Sequence, residues 1–186
     1  MAPILMPGAP LRDGPTALRT WRDQDIPALV VACQDPDITR WTRVPSPYGE
    51  AEARAYRMTR EAAVRAGAMA PFAIVEADAP DVLLGSISLM RFAWQDARGE
   101  VGYWLAAAAR GRGHATRAVR LICAWGFHQL GLERIELIAA TGNAASQTVA
   151  ERTGFTREAV LRSHTLGAQG RQDMVGFALL RGDRPV

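Results

Sequence analysis

Polar and apolar residues alternate from Thr16 to Trp21, the two-residue period of a short strand. Asp23 follows as the N-cap of a helix whose apolar positions are Ile26, Leu29, Val30 and Cys33. Pro27 fits that helix only in its first turn. The proline-punctuated stretch from Asp35 to Tyr48 reads as a loop or a short turn of helix, and Glu50 to Ala66 as a full helix stopped by Gly67. The period then changes. Pro71 to Ala77 and Val82 to Phe92 read as a hairpin turned at Asp78–Asp81, with Gly85 marking a bulge. A polar loop from Gln95 to Gly99 leads to a third strand, Glu100 to Leu105. A glycine-rich turn, Arg110 to Gly113, then opens a helix that runs to about Gln129 and is closed by Gly131. Arg134 to Thr141 predicts a strand, Ala144 to Arg152 a helix, and Phe155 to Leu161 and Arg171 to Leu180 two strands joined by a polar loop, Arg162 to Gly170.

This order predicts one mixed α/β (α+β) domain, a mostly antiparallel sheet of about seven strands with about four helices, without repeat or linker. Met1 to Leu11 is apolar but broken by Pro3, Pro7 and Pro10 and has no basic leader. Residues 1–14 are therefore expected to be a flexible tail and 15–186 the domain. No apolar run approaches the about 20 residues of a membrane span, so a cytoplasmic protein without membrane contact is expected.

Composition narrows the classes further. The 186 residues are 48% hydrophobic and 22% charged, which excludes disorder and fibrous chains. Net charge is only +3 although the pI is about 9.4. The basic residues are all arginine, a pattern that codon bias explains and that also suits planar, bidentate binding of phosphate or carboxylate. So small an excess gives no case for nucleic acid. Cys33 and Cys123 lie in helical stretches without paired spacing and read as core thiols. Neither they nor the three histidines, His114, His128 and His164, have metal-ligand spacing, so no metal is expected.

The sharpest local feature is the strand Glu100–Leu105 running into Arg110-Gly111-Arg112-Gly113-His114-Ala115-Thr116 at a helix start. Glycines permit a tight turn and close backbone approach, and the free N–H groups of a first helical turn attract an anion such as phosphate. A Walker loop would need a lysine. The dinucleotide fingerprint would need Gly or Ala where Thr116 stands, so neither nucleotide motif is matched.

Arg-x-x-Gly-x-Ala at Arg110–Ala115 resembles the pyrophosphate loop of the GNAT N-acetyltransferases, which hold acetyl-CoA. Asn143-Ala144-Ala145-Ser146, Val149, Glu151 and Gly154-Phe155 are similar to the RimJ/RimL-type members. The Glu-x-Gly-Tyr-Trp-Leu strand and the ending Gly170-Arg171-Gln172-Asp173-Met174 are similar to them as well. The resemblance spans about Thr16 to Asp183. It implies a GNAT-like sheet whose central strands splay apart to hold acetyl-CoA. It places Gly111, Arg112, Gly113, His114, Ala115 and Thr116 around the pyrophosphate, with side-chain charge from Arg110 or Arg112, and puts Trp104, Leu105 and Ala106 along the pantetheine arm.

The chemistry so implied needs a neutral amine to attack the thioester and a thiolate to leave. Glu100 is the candidate base; the alternative is a solvated or capping charge at a strand entrance. The tyrosine that many relatives carry as proton donor is replaced by Ala150, which leaves Ser146 as candidate donor, or as a helix-capping or packing residue. Asn143 contacts the cofactor arm, caps the following helix, or both. The acceptor pocket is expected from the loops Arg43–Tyr48 and Arg162–Arg171. Trp41, Tyr48 and Trp94 are its walls or simply packed, and Asp35, Asp37, Glu50 and Glu52 greet a cationic substrate or are solvated helix-end charges. The resemblance implies acetyl transfer to a primary amine by direct attack in a ternary complex, the acceptor being a protein N-terminal amine. Alternatives are a small amine (amino acid, polyamine or antibiotic) and an acetyl-CoA-binding regulatory module without catalysis. A homodimer is compatible with the resemblance.

Overall fold

The computed structural model describes residues 2–167 and 170–183. Its strands are β1 (Leu11–Asp13), β2 (Thr16–Arg19), β3 (Met69–Glu76), β4 (Leu83–Ala93), β5 (Arg98–Leu105), β6 (Arg134–Ala140), β7 (Thr156–Gly167) and β8 (Gly170–Leu180). The helices are α1 (Ile26–Ala32), α2 (Pro36–Trp41), α3 (Glu50–Arg65), α4 (His114–Gln129) and α5 (Ala144–Arg152). All eight strands form one sheet in the order β1-β2-β3-β4-β5-β6-β8-β7. Among the described residues only β5 and β6 pair in parallel, as the α4 crossover between them requires.

The sheet has one strand more than the alternation suggests. Gly14, at φ +52°, turns Leu11–Asp13 back onto β2. Ahead of it Ile4 is buried, its N–H donating to Val64 O at 3.0 Å. Part of the segment expected as a tail therefore packs on the core; its three prolines hide the pattern, and the strand is only three residues long. The bulge near Gly85 is present: the β3–β4 register shifts as Ile74 pairs with Gly85 and Val75 with Leu83.

Two expected loops are also more regular. Within Asp35–Tyr48, α2 forms with Pro36 at its first position and the Asp35 carboxylate accepting from Asp37 N. The Arg162–Gly170 loop is in fact strand on both sides of a hairpin, apart from 168–169, which lie outside the described residues. Its polar look comes from a two-stranded ribbon that is largely exposed. The β7 register shifts between Leu161 and Thr165, with Ser163 at φ +53° and its N–H bound to Asp173 Oδ1 at 2.7 Å.

Helices cover both faces. On one face α4 lays Ala118, Val119, Ile122 and Cys123 onto Phe72, Ile87, Leu89, Val101, Ile135 and Phe177. A Cβ on Gly126 would stand 2.7 Å from Leu89 Cδ1, so glycine is what lets this helix sit so close to β4. On the other face α1 and α3 bury Ile26, Leu29, Cys33 and Ala53 with Tyr48. Both cysteines are buried and free, as read from the sequence; burial pushes the Cys33 thiol up to about 11 and that of Cys123 higher still, so both stay protonated and inert.

Candidate active site

The β5–β6 ladder runs from Arg98↔Arg134 to Val101↔Leu137 and stops there. Beyond it β5 stays with β4 through Leu105, while β6 stays with β8 through Ala140. The sheet thus forks at its middle, and the strand edge of Gly102–Leu105 faces the gap, an edge of the kind an extended ligand pairs with, Leu105 O being held by Arg110. Glu100, paired with Glu136, sits on the last rungs before the fork.

Strand alternation divides the residues of β5 between two faces. Val101, Tyr103 and Leu105 point to the α4 side, and Glu100, Gly102 and Trp104 to the α1/α3 side, where Trp104 packs against that smaller core. Glu100 is largely shielded, its side chain 13% exposed, and lies under Arg91, whose Nη1 donates to both carboxylate oxygens at 2.8 and 3.0 Å. Arg91 reaches it from a left-handed residue, φ +52°, in the irregular end of β4. Ser146 is on the opposite face, its Oγ 3.1 Å from Tyr103 Oη. Burial, only partly offset by the Ser146 hydrogen bond, raises Tyr103 to about 12. Base and donor candidates therefore flank the fork from opposite sides of the sheet, which a linear reading does not reveal.

At the open end of the fork, Ala107–Ala109 make one tight turn and the Arg110–Gly113 loop follows. Gly111 and Gly113 have φ of +73° and +80°, and Gly113 is the N-cap of α4 with no side-chain acceptor on the first-turn N–H groups. The N–H groups of Ala115 and Thr116 and the positive end of the helix dipole are thus presented together. His114, in the first turn, is buried, its Nδ1 2.9 Å from Thr16 Oγ1. Burial, opposed by Glu76 and aided by Arg112 and Arg117, lowers its pKa, so its ring is a neutral packing element and its backbone forms the cradle.

Both arginines expected to add side-chain charge at this turn are engaged in ion pairs. Arg110 is held by the carboxylates of Asp35 and Asp37 and donates to Leu105 O at 3.1 and 3.2 Å, so it fastens α2 to the end of β5. Arg112 pairs with Glu76 at 3.3 Å. The cavity beside the first turn of α4 is instead lined by Asp13, Gly113, Thr116, Arg117, Arg120 and Arg152. Arg117 and Arg120 follow Thr116 on α4 at one-turn spacing, a signal the sequence carried. Arg152 arrives from the end of α5, which only the fold could bring there.

Asn143 caps α5, its Oδ1 accepting from Ser146 N at 3.1 Å, and so fixes where the Ser146 hydroxyl stands. Ala150 is fully buried in the main core. Of the expected pocket walls, Trp41 lies over Gly142 beside the fork, where a Cβ on that glycine would be 3.4 Å from its ring. Tyr48 is buried in the α1/α3 core and Trp94 stacks on Phe92 at 4.4 Å, so both are packing residues. Glu50 pairs with Arg54 within α3 and Glu52 accepts from Gly49 N at 2.8 Å, as helix-end charges do. Among the described residues no group of three or more His, Cys, Asp and Glu could hold a metal, and no helix is long and apolar enough to cross a membrane.

This architecture is shared with solved structures. RimL, a ribosomal L7/L12 alpha-N-protein acetyltransferase solved in complex with coenzyme A, superposes with a TM-score of 0.82 at 17% identity, over 92% of this chain and 98% of that one. Mycobacterium smegmatis RimJ in complex with CoA-disulfide gives 0.79 at 24% identity, over 93% and 86%. In sequence, YdaF of Bacillus subtilis (strain 168), provisionally named a ribosomal N-acetyltransferase, is 35% identical over 99 residues, 53% of this chain and 54% of its own length, so the match spans about half of that relative. The model of the acetyltransferase (GNAT) domain matches residues 16–156. With that match over most of its length, and a forked sheet and glycine-capped helix of the kind the motifs imply, the chain belongs to the GNAT acetyltransferase family.

Proposed function

We propose that the protein transfers the acetyl group of acetyl-CoA to a primary amine by direct attack in a ternary complex, with a protein N-terminal amine as acceptor. The observation that carries this reading is the fork between β5 and β6 with the uncapped first turn of α4 at its open end. The turn suits a pyrophosphate, the open edge of Gly102–Leu105 suits the amide-bearing pantetheine arm, and a thioester held in the fork would lie between Glu100 and Ser146. Glu100 takes the proton that the amine must lose, directly or through water, so that the nitrogen lone pair forms the C–N bond, and Ser146 offers its hydroxyl hydrogen to the departing sulfur. A main-chain N–H of the open edge is suited to the oxygen that becomes anionic in the tetrahedral adduct. The arginines of the α4 cavity, Arg117, Arg120 and Arg152, suit the remaining phosphate charge.

A peptide-like acceptor is supported by the face that carries Glu100. There Ile138 and Gly176 are half-buried, and a Cβ on Gly176 would meet nothing closer than 3.8 Å, which leaves this part of the face open to an extended chain. The names of RimL and YdaF point the same way.

A titration with acetyl-CoA, set against ATP and NAD, tests the reading without needing the acceptor. Acetyl-CoA at 100 times its Kd should raise stability by about 2.7 kcal/mol, read as a shift in Tm, while the other two leave Tm unchanged. No selective shift would overturn the acetyl-transfer reading. Gly113→Val should weaken acetyl-CoA about ten- to hundredfold by calorimetry. A branched side chain at φ +80° is strained by about 1–2 kcal/mol, and its Cβ would meet Arg117 Nη1 at 2.6 Å, crowding the cradle. Affinity unchanged by this substitution would remove the first turn of α4 from the binding site.

A further inference from the structure

We propose that Tyr103 is a positioning residue for the Ser146 hydroxyl: its Oη–H donates to Ser146 Oγ across 3.1 Å, and this turns the Ser146 hydrogen toward the sulfur in the fork. The proposal rests on the acetyl-transfer reading and adds a residue to it. A hydroxyl alone rotates freely and can give its hydrogen to any nearby acceptor. Ser146 is constrained at two points. Its backbone N–H is bound by Asn143 Oδ1, which sets the first turn of α5, and its oxygen is met by Tyr103 from the facing strand. Tyr103 stands just past Val101, where β5 has lost β6 as a partner, so the pair sits at the wall of the opening and not in the closed sheet.

With Tyr103 as the donor in this contact, the Ser146 hydrogen is left for the sulfur. Tyr103, pushed up to about 12 by burial, keeps its proton through the neutral range. A thiol titrates near 8.5, so a leaving thiolate cannot take the phenol proton outright. When the tetrahedral adduct collapses, the C–S bond breaks and its electron pair goes to sulfur. The Ser146 hydrogen bonds to that sulfur, Tyr103 holds Ser146, and both keep their own hydrogens. The proton that finally neutralises the thiolate comes from water. A strand tyrosine acting through a serine thus stands in for the helix tyrosine that Ala150 lacks, and Ala150, fully buried, has no room for one.

The free thiol of bound CoA provides a test that needs no acceptor. Its titration, followed by the ultraviolet absorbance of the thiolate, should lie below the ordinary value of about 8.5, because a hydrogen bond to the charged form favours it. In Ser146→Ala and in Tyr103→Phe the titration should move up by about one pH unit, and the double variant should move no further than Ser146→Ala alone. Ser146→Thr, which keeps a hydroxyl, should retain the low value only where Tyr103 is intact. With a working amine, kcat should fall about a hundredfold in Ser146→Ala and about tenfold in Tyr103→Phe, with the Kd of acetyl-CoA within about twofold. Tyr103→Phe titrating as wild type, or effects of the two substitutions that simply multiply, would overturn the proposal while leaving acetyl transfer in place. A wild-type titration and kcat in Ser146→Ala would overturn both the proposal and the Ser146 donor role, and absence of acetyl-CoA binding would overturn the proposed function itself.

Discussion

Asp25→Ala should destabilise the protein by about 3–5 kcal/mol, measured by urea denaturation, although Asp25 is nowhere near the fork. Its carboxylate forms a bidentate pair with Arg19 at 2.7 and 2.8 Å, with the two side chains 2% and 3% exposed. The remaining Arg19 donors reach Pro80 O at 2.8 and 3.0 Å and Thr20 O at 3.0 Å, and Asp25 also accepts from Arg22 N at 2.8 Å. Five guanidinium N–H groups, the Arg22 backbone N–H and one carboxylate therefore join β2, the start of α1 and the β3–β4 turn inside the protein. Removing the carboxylate leaves a guanidinium that cannot deprotonate, buried with only carbonyls for partners. Replacing both residues by apolar ones of similar volume should recover much of the loss, because no charge is then stranded. A single substitution costing under about 1 kcal/mol would mean that the pair is solvated like an exposed ion pair.

Glu100→Gln should lower kcat/KM on a working amine by about 10²–10⁴-fold, the range of a lost general base, while the Kd of acetyl-CoA stays within about twofold. Glutamine keeps the shape of the side chain on the last rungs of the β5–β6 ladder but cannot accept a proton from an ammonium. The position suits the role geometrically. Glu100 faces away from Ser146, so an amine approaching from its side meets the carbonyl carbon while the sulfur departs toward the other. Arg91 contributes by holding both carboxylate oxygens in place. Unchanged kcat/KM and pH profile in Glu100→Gln would show that the carboxylate is only the ion-pair partner of Arg91.

The contrast between these two residues shows where the sequence is legible. Glu100 stands out because a motif surrounds it within a few positions. Asp25 goes unremarked in the sequence, where Asp23 is read as the helix cap, since its partner Arg19 lies six residues away on a strand and burial of the pair depends on Pro80 arriving from the β3–β4 turn. Tyr103 was in view as part of the Glu-x-Gly-Tyr-Trp-Leu strand, but its partner Ser146 is 43 residues on, and no local period connects them.

Periodicity, turn residues and the glycine-rich loop were enough to establish a mixed α/β domain, seven of its eight strands, and a helix N-terminus shaped for an anion. These are local matters, set by which residues alternate, which break the chain, and which tolerate positive φ. The short first strand escaped because a three-residue strand has too few positions to show a period. The partition of charge needed the tertiary structure: Arg110 pairs with Asp35 and Asp37, Arg112 with Glu76, and Arg152 reaches the cavity beside α4 from another helix. So did the division of Glu100 and Ser146 between the two faces of the fork. Ion pairs and hydrogen bonds act over a few ångströms in space whatever their separation along the chain, and which groups come that close is decided only when the strands pair and the helices pack.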